Sequence, residues 1–176
     1  SGLMVVAKNQ KSQKYLVEQL QSHSVSREYS AIVYGHMISG GTISEPLGRD
    51  PKDRVKQAVL RNGREATTHY RVINRFKSHT HVKAILETGR THQIRVHLSH
   101  IGHSLVGDSI YGGKVRYPKK ASEDLKNELF NFRRQALHSK KLTLKHPKSG
   151  ELLSWKLPLP EDMLKLLEVL TEFDKN

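Results

Sequence analysis

Residues 87–113 read ETGRTHQIRVHLSHIGHSLVGDSIYGG and hold two arginines, four histidines, one aspartate and five glycines. Ile94, Leu98 and Ile101 fall at helical spacing, so a helix bracketed by Gly89 and Gly102 turns those three side chains inward. Thr91 is the expected N-cap, which leaves Arg90 just ahead of the helix and Arg95 in its second turn, with free backbone N–H groups between them. Such a corner attracts anions: a buried carboxylate, a phosphate or an RNA backbone each answers that field. An ordinary amphipathic helix with a solvated basic face carries the same pattern.

Working outward, Thr67 to Phe76 and His81 to Glu87 read as two strands joined by a polar turn at Lys77 to Thr80, with Val82, Ala84 and Leu86 alternating in the second. This hairpin runs straight into Gly89. Upstream, Arg27 to Gly35 (REYSAIVYG) alternates as a strand, with Tyr29, Ala31 and Val33 on one face and Ser30, Ile32 and Tyr34 on the other. Asn9 caps a helix through Gln21 whose buried stripe is Leu16, Val17 and Leu20, and Leu3 to Val6 read as a buried strand. Gly40 and Gly41 make a turn. Downstream, Ser122 opens a short helix to Phe132 with the stripe Leu125, Leu129 and Phe132. Ala136 to His146 then forms a half-buried strand on Leu142 and Leu144, Leu152 to Leu157 returns antiparallel, and Pro158 and Pro160 launch a closing helix carrying Met163, Leu166, Leu167 and Leu170. Two basic loops interrupt the pattern: Glu45 to Leu60 with Arg49, Lys52, Arg54 and Lys56, and Lys114 to Lys120 with Arg116 and Lys119. The strand-rich middle argues an α+β fold with a mainly antiparallel sheet.

The chain of 176 residues reads as one domain, and Lys plus Arg exceeds Asp plus Glu by 13. That excess implies a polyanionic partner, nucleic acid first, although an anionic membrane surface is served by the same charge. No stretch is long or apolar enough to span a bilayer, no signal peptide is legible and there is no cysteine, which points to a cytoplasmic address. Cysteine zinc sites and thiol nucleophiles are excluded. His92, His97, His100 and His103 crowd one segment, yet no carboxylate stands at metalloprotease spacing beside them, so polar contacts to backbone and phosphate are the expected role. Ser104 and Ser109 lack a nucleophile elbow, Asp108 reads first as a turn residue, and no phosphate-cradling glycine loop is present. What remains is a basic protein with carboxylate-holding arginines and a strand tyrosine, a set suited to chemistry on a base taken out of its stack, with Tyr29 as the ring in the pocket. A packed core tyrosine fits the same strand pattern.

Three separated motifs, Arg27 to Gly35, Gly89 to Gly113 and Gln135 to Pro147, resemble in order those of the RluA family of RNA pseudouridine synthases. The resemblance covers essentially the whole chain, residues 1–176, and implies a pseudouridine synthase fold: a mixed, mainly antiparallel central sheet flanked by helices and basic loops. Ser1, Gly2 and Leu3 to Lys8 match the tail of the family segment that carries the nucleophilic aspartate. By that resemblance the aspartate lies a few residues upstream of Ser1, an N-terminal S4-like domain is absent as well, and this stretch by itself is expected to be an inactive part of the catalytic domain. Tyr29 corresponds to the tyrosine that stacks on the target uracil and acts as base in the last proton transfer, with Arg27 where lysine is common. Arg95, with Arg90 as second candidate, corresponds to the arginine that holds the nucleophile, and Ile94 and Leu98 pack beneath the site. The implied reaction is isomerisation of uridine to pseudouridine in a stem-loop of large-subunit (23S) ribosomal RNA, without metal or cofactor, by a monomer. Arg49, Lys52, Arg54, Lys56, Lys114, Arg116, Lys119 and Lys120 are then the expected phosphate contacts. The rival readings are a non-catalytic RNA-binding module and, on the histidine cluster, a metal-dependent nuclease.

Overall fold

The computed structural model describes residues 1–175. Twelve elements follow one another, beginning with helix α1 (Gln10–Gln21) and the strands β1 (Ser26–Tyr34), β2 (Gly41–Ser44), β3 (Leu47–Arg49), β4 (Gln57–Val59), β5 (Thr67–Arg75) and β6 (His79–Leu86). Helices α2 (Gln93–His100) and α3 (Glu123–Asn131), strands β7 (Leu137–Lys145) and β8 (Leu152–Lys156) and helix α4 (Glu161–Lys175) complete the chain. Six strands form one sheet in the order β2-β5-β6-β1-β7-β8, every neighbouring pair antiparallel, while β3 and β4 form a separate ribbon. The α+β class with a mainly antiparallel sheet therefore holds, and the parallel component is a single bridge between Gly2 and Ser139.

The central strand β1 explains the layering. Ala31, Ile32 and Val33 are all fully buried, because successive side chains enter different cores on opposite faces of the sheet. Ile32 and Tyr34 pack with Leu125 and Leu129 of α3 and Met163, Leu166 and Leu170 of α4. Ala31 and Val33 pack with Val82 and Ala84 of β6 and with Ile94 and Leu98 of α2, and Tyr29 borders this second core. The hairpin β5–β6, the strand β7 and the helices α1, α3 and α4 stand where the sequence pattern put them. Asn9 and Ser122 cap α1 and α3, each side-chain oxygen accepting a backbone N–H, from Ser12 and Leu125 respectively.

Four expectations change. Leu3 to Val6 is not a strand, and Met4 and Val6 are 82% and 70% exposed. β7 pairs with β1 along one edge and with β8 from Lys141 onward along the other, so only the short edge at Ser139 is open to Ser1 and Leu3. In α1 the inward position goes to Gln19, whose side chain bonds both backbone groups of Lys145, while Val17 is exposed. The segment Glu45–Leu60 is no open loop: Leu47↔Val59, Gly48↔Ala58 and Arg49↔Gln57 pair across it, and Leu47 is buried against Ala66 and Val96. The polar turn between β5 and β6 is also shorter than Lys77–Thr80, since His79 and Thr80 already belong to β6. Among the described residues no helix is long and apolar enough to cross a membrane.

After α2 the chain inserts beside the end of β1, with Val106 N–H donating to Ile32 O and Ala136 N–H to Val106 O. The turn out of this segment needs Gly107: its φ is 72°, and a Cβ would collide with the Arg134 carbonyl oxygen.

Leu166 is fully buried between α3 and the sheet, so Leu166→Ala should cost about 2–5 kcal/mol in urea unfolding. Burial holds both His79 and His81 down at about 4. The unfolded chain takes up these protons first, so stability should be full above the ordinary histidine pKa of 6.5 and fall between there and pH 4, and His81→Gln should shallow that slope.

Candidate active site

α2 begins one residue later than expected. His92, not Thr91, is the N-cap, in the left-handed region at φ 57° and without a side-chain capping bond. The turn ahead of the helix is held by Gln93, whose Oε1 accepts from the Arg90 N–H at 2.9 Å and the Thr88 hydroxyl at 2.8 Å, while its Nε2 donates to Thr67 O and Thr68 Oγ1. The turn that precedes the helix is thereby tied to β5, and Arg95 falls in the first helical turn rather than the second.

Arg95 is buried, and it does not wait for a carboxylate. Its Nε and Nη2 donate to Asp108 Oδ2 and Oδ1 at 2.7 and 2.8 Å, a bidentate pair with 10% and 0% of the two side chains exposed. Asp108 is still the turn residue its sequence context indicated, because Oδ1 also accepts the backbone N–H groups of Ile110 and Tyr111. Burial pushes its pKa up, but the hydrogen bonds from Arg95 and from these two amides outweigh it, and the carboxyl ends below its ordinary 3.8. The guanidinium lies 4.8 Å from the Tyr111 ring centre. Tyr111 Oη accepts the Gln57 N–H from β4, which leaves its proton for His92 Nδ1 at 2.9 Å. The β3–β4 ribbon, the helix start and the Asp108 turn are thus joined through one phenol.

A cavity of about 250 Å³ opens beside this pair, with Tyr29, Arg90 and Arg95 on its walls and Ile94, Leu86 and Leu137 as its apolar part. Tyr29 stands at a bulge in β1, between Glu28 and Tyr29, and pairs with Ser139. Leu98 lies outside the cavity, fully buried under α2. Ser1 reaches the same edge: its amino group donates to Leu137 O at 3.2 Å, and Ser139 N–H donates to Ser1 O at 2.9 Å. Arg90 is half-buried, donates Nε to Glu65 O, and also lines a second cavity of about 460 Å³ with Arg49 of the ribbon and Arg64 beyond it.

The remaining basic residues divide. Arg49, Lys52 and Arg54 are exposed on the ribbon and its turn, while Lys56 is partly buried and pairs with Asp53 at 3.4 Å. Lys114, Lys119 and Lys120 are exposed without ion pairs among the described residues. Arg116 is folded back, bonded to Ser104 Oγ and Gly112 O and lying 5.1 Å from the Tyr34 ring centre. The histidines do not converge: both His97 nitrogens are used, by Thr68 Oγ1 and Glu45 O, His103 bonds Tyr34 O, and no group of described residues is arranged to hold a metal ion. Asp108, Tyr111 and Gln93 are the site residues that helical periodicity could not single out. The G-D-x-x-Y-G spacing at 107–112 is the signal that marks the first two.

Asp108→Asn should leave Arg95 buried without its counter-charge and cost about 3–5 kcal/mol of stability. Because the folded carboxyl titrates below its unfolded value, the stability it supplies is present above pH 4 and lost as the pH falls through the lower folded pKa. Chemical denaturation from pH 7 to 3 should show that acid loss in the parent chain and a flatter profile in the variant.

The family model described as RNA pseudouridylate synthase matches residues 1–100. The Ribosomal large subunit pseudouridine synthase D of Pseudomonas aeruginosa is 55% identical over 172 residues, 98% of this chain and 54% of the relative. Its Escherichia coli K12 counterpart is 52% identical over 170 residues, 97% of this chain and 52% of the relative. The chain spans about half the length of the curated relatives it matches. Among solved structures, human RNA Pseudouridylate Synthase Domain Containing 4 superposes with a TM-score of 0.72 at 27% identity, covering 96% of this chain and 70% of that one. Human RNA Pseudouridylate Synthase Domain Containing 1, at 24% identity and a TM-score of 0.69, shares the fold over 94% of this chain and 74% of its own. With a family model matched over more than half its length and a fold held in common with solved members, this chain belongs to the RNA pseudouridylate synthase family.

Proposed function

We propose that this chain is the greater part of a catalytic domain that converts uridine to pseudouridine in large-subunit ribosomal RNA, working as a cytoplasmic monomer on a stem-loop. The observation that carries the reading is the cavity in which Tyr29, Arg90 and Arg95 meet on an apolar floor of Ile94 and Leu137. A uracil extruded from its stack fits a slot with one aromatic wall and two cationic ones. The relatives named above support the ribosomal substrate, since their names specify the large ribosomal subunit.

In this reading the nucleophilic aspartate lies upstream of Ser1. Ser1 is anchored on Leu137, itself a wall of the cavity, so residues leading into it enter beside Tyr29 and Arg95. Asp108 takes the Nε and Nη2 edge of Arg95 and holds the guanidinium in place, and Nη1 stays free for a second carboxylate. An arginine so placed keeps that carboxylate ionised in a poorly hydrated pocket, whether it attacks the ribose or takes a proton from it. Cleavage of the bond between C1′ and N1 frees the uracil to turn, C5 joins C1′, Tyr29 removes the proton left on C5, and N1 takes up a proton, so that the product is an isomer of uridine. Arg90, Arg49, Lys52, Arg54, Lys114, Lys119 and Lys120 face phosphates and position the RNA without reading its sequence.

The test is tritium release from ribosomal RNA labelled at uridine C5, by protein extended upstream through the implied aspartate. The extended protein should release tritium and the 176-residue chain should not. Tyr29→Phe in the extended protein should slow release by about 100-fold or more. Tight RNA binding with no release by the extended protein would replace this reading with a non-catalytic RNA-binding module.

A further inference from the structure

On the other side of the Arg95–Asp108 pair lies another cavity, of about 400 Å³, which the pocket described above does not use. Tyr34 and Asp108 line its inner part, and Lys114, Tyr117, Phe130 and Arg133 its outer part. Two of its rings are unexplained by the fold. Phe130 is 51% exposed, turned away from the face of α3 that buries Leu125 and Leu129, and Tyr117 is 46% exposed with a hydroxyl that makes no hydrogen bond among the described residues. Cations flank both rings. The Arg133 guanidinium lies 4.5 Å from the Phe130 ring centre and has no ion pair or hydrogen bond among the described residues, and the same holds for the Lys114 ammonium. The carboxylate in the cavity, Asp108, is already neutralised by Arg95.

Exposed aromatic faces interleaved with free cations are what a single-stranded nucleic acid requires: rings for its bases and charges for its phosphates. We propose that this cavity is a second nucleotide subsite, in which an unpaired base of the substrate RNA stacks on Phe130 and Tyr117 while its phosphate lies against Arg133 and Lys114. The inference rests on the RNA-directed reading above and adds to it the path of the strand. An RNA whose target uridine enters beside Tyr29 crosses the Asp108 turn and sets down a neighbouring base on the far side. The chain's excess of 13 positive charges favours the same occupant over an apolar peptide.

The experiment is fluorescence titration of a single-stranded oligouridylate carrying one 2-aminopurine with the full chain, at several salt concentrations. Binding should quench the probe. The double variant Y117L/F130L should abolish most of that quench and weaken binding about tenfold, with an unchanged melting temperature because both side chains are half exposed. Arg133→Gln should keep the quench and lower the slope of log affinity against log salt by about 0.7, the loss of one phosphate contact to a single strand. Unchanged affinity and quench in Y117L/F130L, with weakening in Tyr29→Leu, would overturn the subsite and leave the synthase reading standing. A shallower salt slope in Arg133→Gln with no effect of the ring variants would also overturn it, as a phosphate contact without stacking. Failure of the unaltered chain to bind the oligonucleotide at all would overturn the subsite and leave the synthase reading to the tritium-release test.

Discussion

The bidentate contact of Arg95 with Asp108 is the constraint on which the candidate site of this molecule depends. A buried guanidinium is costly unless a carboxylate meets it with good geometry, and Asp108 does so from a turn 13 residues later in the chain. The pair closes α2 against the Gly107–Tyr111 turn, and Tyr111 extends the closure to His92 and to the β3–β4 ribbon. One ion pair therefore sets the distance between the helix start, the ribbon and the cavity that holds Tyr29. It also divides the surface in two, with the Tyr29 cavity on one side and the Tyr117–Phe130 cavity on the other.

Support for that site comes from β1. Most sheets in a two-layer protein bury one face, and their strands show it as strict alternation. Here β1 is buried on both faces over Ala31–Val33, which anchors α3 and α4 on one side and α2 on the other. Tyr29 sits where this rigid stretch gives way to a bulge, so its ring is half-exposed at the edge of the second core while its backbone is held by β6 and β7. A ring positioned on a well-packed strand and open at its tip is pre-organised for a ligand with little ordering cost.

The positive charge is unevenly committed. Arg95, Arg134 and Lys56 are engaged with carboxylates, and Arg116 with a hydroxyl, a carbonyl and a ring. Arg49, Lys52 and Arg54 on the ribbon and Lys114, Lys119 and Lys120 after α2 are exposed on segments that carry little core. Charges of the first kind hold the scaffold. Those of the second kind retain their hydration and mobility.

Much of this was legible along the chain. The alternation of β1 and β7, the β5–β6 hairpin, the Asn9 and Ser122 caps and the apolar stripe of α4 are local patterns, and local patterns survive folding where no tertiary contact competes. The gathering of Tyr29, Arg90, Arg95 and Ile94 was also in reach, through motif resemblance rather than periodicity. What periodicity misjudged was decided at long range. Leu3–Val6 has strand composition, but β8 already occupies the edge of β7 it would need. Gln19 displaces Val17 from the inner face of α1 because the backbone of Lys145 required a partner. Thr91 loses the cap to His92, because the Gln93 amide ties the Arg90 turn to β5 and so fixes where the helix starts. The sequence by itself determined most of the elements, the charge and the family; the tertiary structure alone decided that Asp108 is the partner of Arg95, because a buried ion pair is a statement about distance in space.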